Sequence, residues 1–324
     1  MKLDGALQPP SALGAGRRVF LVGYLPTYAA LLFLLTLAWA GARAWRPPVR
    51  GGLHFTDAWE TAAQLGVGEV LAIALAVTLI AVVSQPLQLA MVRLLEGDWP
   101  SRRATEWARN RQIARRRPLV DAAELPAPGA APPTDAEVQA AGHAGAELRR
   151  RYPLPDHLVR ATALGNALTA AEDTAGSWYG LDAVVAWPRL YPVLGDAVRA
   201  VVDDQRDRLD AAARMAVTMA VTTVATVVLL IRTEWWLLLA LVPAVLAVAA
   251  YHGAVHMARA YGQSIHVAFD LHRFDMLQAL GVPRQASVAA ERTWNRRLCD
   301  LWRQGVPLPD DFRYTGADPT GGQP

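Results

Sequence analysis

Seven polar side chains in the last third of the chain recur at alternating steps of four and three residues: His252, His256, Arg259, Gln263, His266, Asp270 and Arg273. On a continuous helix this spacing puts all seven along one face. His252 and His256, one turn apart, could share an ion, and His266 and Asp270 extend the set toward a metal or proton-handling site. Two considerations weigh against that chemistry. A lone His pair supplies only two ligands, and no Glu lies inside His252-x-x-x-His256 to act as the base of a zinc protease. The plainer reading is a polar stripe turned toward solvent or toward the middle of the chain, with no resident metal and no cofactor.

The second concentration of charge is basic. Eight Arg fall between Arg93 and Arg117, and 101–117 reads as a basic helix with Trp107 and Ile113 on a weak apolar face. Arg102, Arg103, Arg109, Arg111, Arg115, Arg116 and Arg117 form the patch. Its place beside a hydrophobic run favours anionic lipid, at roughly 1 kcal/mol for each nearby Arg, and no nucleic-acid partner is expected. Membrane topology alone accounts for the same charge equally well.

Catalytic signatures are missing from the sequence. It contains no phosphate-cradling G-x-x-x-x-G-K-[ST] and no G-x-S-x-G elbow. The adjacent acids Glu172-Asp173 and Asp203-Asp204 point to different helix sides and read as solvated charge. The single cysteine, Cys299, cannot form an intrachain disulfide and reads as a packing residue on an amphipathic helix. No catalytic residue is assigned.

What must position these groups is a set of hydrophobic runs. Of the 324 residues 53% are hydrophobic, and they are concentrated in four blocks at 19–42, 70–92, 215–231 and 235–251. Lipid offers no hydrogen-bond partner to a backbone, so such runs must be helical. Seventeen residues at about 1.5 Å each fall slightly short of a hydrocarbon core of about 30 Å; Ala211 to Ala213 and a snorkelling Arg214 extend the third run. The first run is longer than the apolar core of a signal peptide, so it is read as a retained helix although Ala38-Trp39-Ala40 looks cleavable. Tyr24, Tyr28, Trp39 and Trp45 suit interfacial belts.

The expected architecture is therefore all-α: a polytopic membrane protein with four transmembrane helices in two hairpins, 19–92 and 215–251, and a cytosolic helical module. Segment 1–18 precedes the first hairpin. Residues 93–214 form a helical domain with a Pro/Ala linker at 125–133, followed by a capping box at Thr134-x-x-Glu137. Within that domain 157–179 reads as one helix, 187–192 as a loop, and a long helix starts near Asp196, with Val198, Val201, Val202 and Leu209 on its packing face. Residues 252–304 form a helical extension interrupted at Gly281 and Pro283, its last helix carrying Trp294, Leu298, Leu301 and Trp302. The tail is 305–324. A short surface helix carrying Trp59 is expected after the first span.

Charge sets the orientation. Of 32 basic residues, only Arg43, Arg46, Arg50 and Arg232 lie in the connections within the hairpins, whereas Arg17, Arg18, Arg93, Arg102, Arg103, Arg214 and Arg259 flank the spans on the other side. The positive-inside rule then puts both termini and the middle domain in the cytoplasm. With one Lys among the cations and much Ala, Gly and Pro, the composition is that of a GC-rich bacterial genome. None of the four runs has a carboxylate or His inside, which demotes ion-coupled transport. Thr218, Thr222 and Thr226 on the third run, and Ala240, Ala244 and Ala247 on the fourth, suit close helix packing.

Three stretches carry a resemblance: Gln85-Pro-Leu-Gln-Leu-Ala-Met-Val-Arg-Leu-Leu-Glu-Gly97, Ala161-Thr-Ala-Leu-Gly-Asn-Ala-Leu through Trp187-Pro-Arg, and Tyr261-Gly-Gln to Phe274-Asp. Together they resemble a family of uncharacterised multispan membrane proteins from high-GC bacteria. The resemblance implies architecture and no catalytic residue. The leading expectation for function is a membrane-anchored scaffold, sensor or accessory subunit offering a docking surface to a cytosolic protein partner; a homo-oligomer is allowed. The rivals are a channel or transporter subunit and a membrane-bound enzyme using His252, His256 and Asp270.

Overall fold

The computed structural model describes residues 25–44, 52–125, 133–309, 312 and 314, without the side chains of 84–89 and 91. Segment 1–18, the first six residues of the first hydrophobic run, the linker at 126–132 and most of the tail lie outside the described residues. Among the described residues every regular element is helical: α1 Leu25–Trp39, α2 Phe55–Ala63, α3 Val67–Glu96, α4 Arg102–Ala123, α5 Asp135–Arg151, α6 Ala163–Thr174, α7 Ala183–Leu190, α8 Asp196–Leu230, α9 Leu241–Ala279 and α10 Val288–Gln304. The chain divides into two compact units, one of Met1–Leu95 and Arg208–Ala254, the other of Glu96–Asp207 and Val255–Pro324.

The first unit is apolar. Its packed part joins Leu37, Ala40, Ala42, Leu53, Ala58 and Leu230. The chain leaves α1 through a Schellman turn, in which Ala42 N–H reaches Leu37 C=O and Gly41 N–H reaches Ala38 C=O. Gly41 sits at φ 101° there, a conformation that costs a side-chain-bearing residue roughly 1 kcal/mol or more. Elsewhere the unit leaves large aliphatic side chains uncovered. Leu71, Leu75, Leu79 and Val83 are 65%, 70%, 61% and 59% exposed, and their four-residue spacing draws one stripe down α3.

The count of four spans is corrected. Among the described residues two helices, Asp196–Leu230 and Glu234–Ala279, are long and apolar enough to cross a membrane, and α2 with the first part of α3 makes a third if that pair, bent by 113°, is one span. The described part of the first run, α1, has 15 residues, about 22 Å of helix, too short to reach across. The fourth run also departs from a uniform α-helix. After a turn with Glu234 at φ 49°, Glu234–Ala240 winds as a 3₁₀ helix before α9 begins.

In the second unit α4 and α5 pack antiparallel, since Ala123 meets Gly145 while Gln112 accepts from the Tyr152 hydroxyl. Thr134 and Glu137 close the capping box expected at the start of α5. α4 outruns its expected end at Arg117: it passes Pro118 and continues to Ala123, with Leu119 and Val120 half-buried. Trp107 is exposed, not packed on an apolar face; the Arg111 guanidinium lies 5.7 Å from its ring centre.

Two further expectations fail for local reasons. Residues 157–179 are not one helix. Fully buried Asn166 accepts from the Arg160 amide and donates to the Arg160 and Thr162 carbonyls, which ties down an extended strap, and Thr162 caps the helix that starts one residue later. Its other end is set by Gly176 at φ 73°. Conversely, the expected loop at 187–192 is mostly helix. Asp182 accepts from the amides of Val184 and Val185, and burial of Ala186 and Leu190 to 0% exposure offsets the ladder bond that Pro188 removes.

The core of this unit surrounds Phe269, with Ala186, Leu190, Ala268, Met276, Leu298 and Cys299. On α8, Val202 and Leu209 are buried as the periodicity requires, but Val201 is exposed. α10 starts on a Ser287 cap and ends at Gly305 in the left-handed region; α9 ends before Gly281 at φ 68°.

Candidate functional site

The polar stripe lies on α9 as its spacing demands, but tertiary packing divides it. His252 and His256 are exposed. Tyr251 and His252 rings meet edge-on at 6.0 Å, and neither His joins His266 or Asp270: among the described residues no group of three or more His, Cys, Asp or Glu side chains could hold a metal ion. The far end of the stripe is tied into the second unit. Asp270 accepts from the Tyr179 hydroxyl at 2.7 Å. Arg273 donates to Glu291 at 3.0 Å, with its guanidinium 3.9 Å from the Tyr179 ring centre and 4.1 Å from that of Phe274. Asp270 and Arg273 thus fasten α9 to the turn after α6 and to α10.

The middle of the stripe faces a cleft of about 320 Å³. α5 contributes Ala146, Arg149 and Arg150, α6 contributes Ala167, Ala171 and Thr174, α9 contributes Arg259, Gly262, Gln263 and His266, and the turn after α6 adds Trp178. Small residues let these walls approach. A Cβ on Gly262 would come to 2.8 Å from that of Ala171, so α6 and α9 touch where neither has a large side chain.

Three guanidiniums and no carboxylate line the cleft among the described residues. None of the three has an ion-pair or hydrogen-bond partner there, and the Arg259 Nε is buried without one. Burial and the neighbouring Arg151 charge lower the Arg259 pKa, and Glu147 and Tyr152 only partly offset this. Glu147 is itself engaged by Arg151. Arg149 and Arg150 are exposed, so water screens their charge, whereas the half-buried Arg259 is only partly compensated, a cost that an anion in the cleft would lower.

His266 lines the cleft with its Nε2 proton already committed. The Thr174 hydroxyl gives its proton to the Ala170 carbonyl at 2.6 Å, so at 3.1 Å from His266 Nε2 it must accept, which fixes the proton on Nε2. Burial lowers the His266 pKa, opposed by the charge of Asp270. The arrangement binds and orients; it contains no paired nucleophile and base.

The basic patch on α4 is put to mixed use. Arg109 donates to the Asp156 carbonyl at 2.8 Å, and Arg116 binds the Asp156 carboxylate and the Leu154 carbonyl; both hold the strap that precedes α6. Arg102 pairs with Glu106 one turn on. Arg103, Arg111, Arg115 and Arg117 remain exposed. Cys299 is buried, receives the Asp182 N–H at 3.2 Å, and has its thiol pushed up to about 11 by burial.

Sequence reasoning missed Arg149, Arg150, Thr174 and Trp178. The signal was the run Arg149-Arg150-Arg151, visible as a basic helix end; its convergence with Arg259 comes from the packing of α5 against α6 and α9. No family model, curated protein or solved structure matches the chain.

Proposed function

We propose that the protein is a membrane-anchored sensor or scaffold, in which apolar helices hold the unit of Glu96–Asp207 and Val255–Pro324 at the cytoplasmic surface for a soluble partner. The observation that carries this reading is the uncovered aliphatic stripe on α3, together with Leu241, Val242, Val245 and Val248 on α9, between 54% and 65% exposed. Each such side chain forgoes roughly 1.5–3 kcal/mol in water, and contiguous apolar surface of this kind suits lipid. The other unit encloses a core around Phe269 and bears most of the arginines, as expected of a soluble module.

In this reading both termini are cytoplasmic, which the Arg distribution supports. The resemblance to multispan membrane proteins of high-GC bacteria supports the same architecture. The exposed arginines of α4 then lie near anionic headgroups.

The test is fractionation and topology of the full chain. The protein is expected in the membrane pellet after alkaline carbonate extraction, and a periplasm-dependent phosphatase fused after Thr320 is expected to be inactive. Release into the carbonate supernatant, or an active phosphatase, overturns the reading.

A further inference from the structure

We propose that the cleft between α5, α6 and α9 binds an organic phosphate with two or more negative charges, its phosphoryl oxygens on Arg149, Arg150 and Arg259 and its carbon skeleton against Trp178. This names a ligand class for the sensor reading above and rests on it for its purpose, though not for its chemistry.

Convergence is the first argument. Basic residues in the last turn of α5 complement the helix dipole, but the dipole gives no reason for Arg259 of α9 to face the same cavity. Arg259 stands half-buried with its Nε unpartnered, and the nearby Glu147 is held by Arg151. An arrangement with that cost is retained where an anion relieves it, and planar guanidiniums match phosphoryl oxygens in pairs.

Size is the second. A volume of 320 Å³ is about ten waters at about 30 Å³ each, more than a single phosphoryl group fills, and lies at the lower end of small-molecule sites. The remaining wall is suited to carbon: Ala167, Ala171 and the exposed Trp178 indole. Gln263 and the rim of His266, whose Nε2–H is already given to Thr174, add polar edges.

Full-length protein in phosphatidylcholine nanodiscs is titrated by calorimetry with adenosine 5′-monophosphate and with pyrophosphate. In a second arm, discs that also contain phosphatidylinositol 4-phosphate are tested for protection of the cleft, read as loss of pyrophosphate binding. Saturable one-to-one binding in the first arm identifies a soluble phosphate ester as the source; protection in the second identifies a lipid headgroup.

Arg259→Gln and Arg150→Gln are each expected to weaken binding about 10- to 100-fold, the range for hydrogen bonds to charged groups, whereas Arg297→Gln at an exposed position of α10 leaves it unchanged. Arg259→Gln is also expected to raise the thermal midpoint of the unliganded protein, which a merely structural arginine would lower, so loss of binding cannot be mistaken for unfolding. The proposal is overturned by absence of binding in both arms, by equal loss in Arg297→Gln, or by a lowered midpoint in Arg259→Gln. Carbonate extraction of the same preparations reports separately on the membrane reading.

Discussion

Truncating Phe269 should open the core of the second unit and uncover the one cysteine of the chain. Phe269 is fully buried, in one cluster with Cys299, its ring 6.3 Å from that of Trp187 and in contact with the backbone turn at Gly176. Phe269→Ala removes transfer energy and leaves a cavity, together about 3–5 kcal/mol. At 1.36 kcal/mol per decade that is about a 150- to 5000-fold rise in the open population. Cys299 is 4% exposed with a thiol held near 11, so a maleimide reacts with it only through opening. The labelling rate at neutral pH, in excess reagent and under native conditions, should rise by that factor. Phe269→Leu, costing about 1–2 kcal/mol at about 0.8 kcal/mol per methylene, should raise it about 5- to 30-fold and keeps the test usable if the Ala variant does not fold. Labelling unchanged within about twofold in both variants would show that Phe269 and Cys299 do not share a cooperative core.

Three further outcomes follow from geometry. Gly180→Ala places a side chain at φ 75° and a Cβ 2.4 Å from the Arg292 carbonyl oxygen; a loss of about 1–2 kcal/mol from the backbone conformation alone, plus displacement of α10, should appear as a lowered melting temperature. Asn295→Ala leaves the Tyr179 carbonyl without the donor it has at 2.8 Å, and a denaturant titration should register about 1–3 kcal/mol. His266, whose pKa is lowered by burial, takes up protons more readily when unfolded, so its contribution is complete above the ordinary His value of about 6.5 and is lost as pH falls below it through the folded value. His266→Gln should therefore flatten the decline in thermal midpoint between neutral and mildly acidic pH; an unchanged slope would refute the burial argument.

Much of this protein was legible in its residues because local rules governed them. The capping box at Thr134, the stop at Gly281, the Ser287-capped final helix and the helical face joining His252 to Arg273 all follow from neighbours within a few positions. The long uncharged runs favour helix, since a helix satisfies its backbone groups within one segment. What sequence periodicity misjudged were places where a distant partner overruled local preference. Asn166 straps 160–162 in place of a helix turn, and the apolar demand of Ala186 and Leu190 carries a helix past Pro188. The stripe on α9 shows the same division. Its spacing set which residues share a face, but whether His266 meets a metal or Thr174, and whether Arg259 stands alone or beside Arg149 and Arg150, depends on which helices pack there. Charge and chemistry reside in single residues, whereas a cleft is a property of the gaps between elements, and those gaps are set by long-range contacts such as that of Gly262 with Ala171.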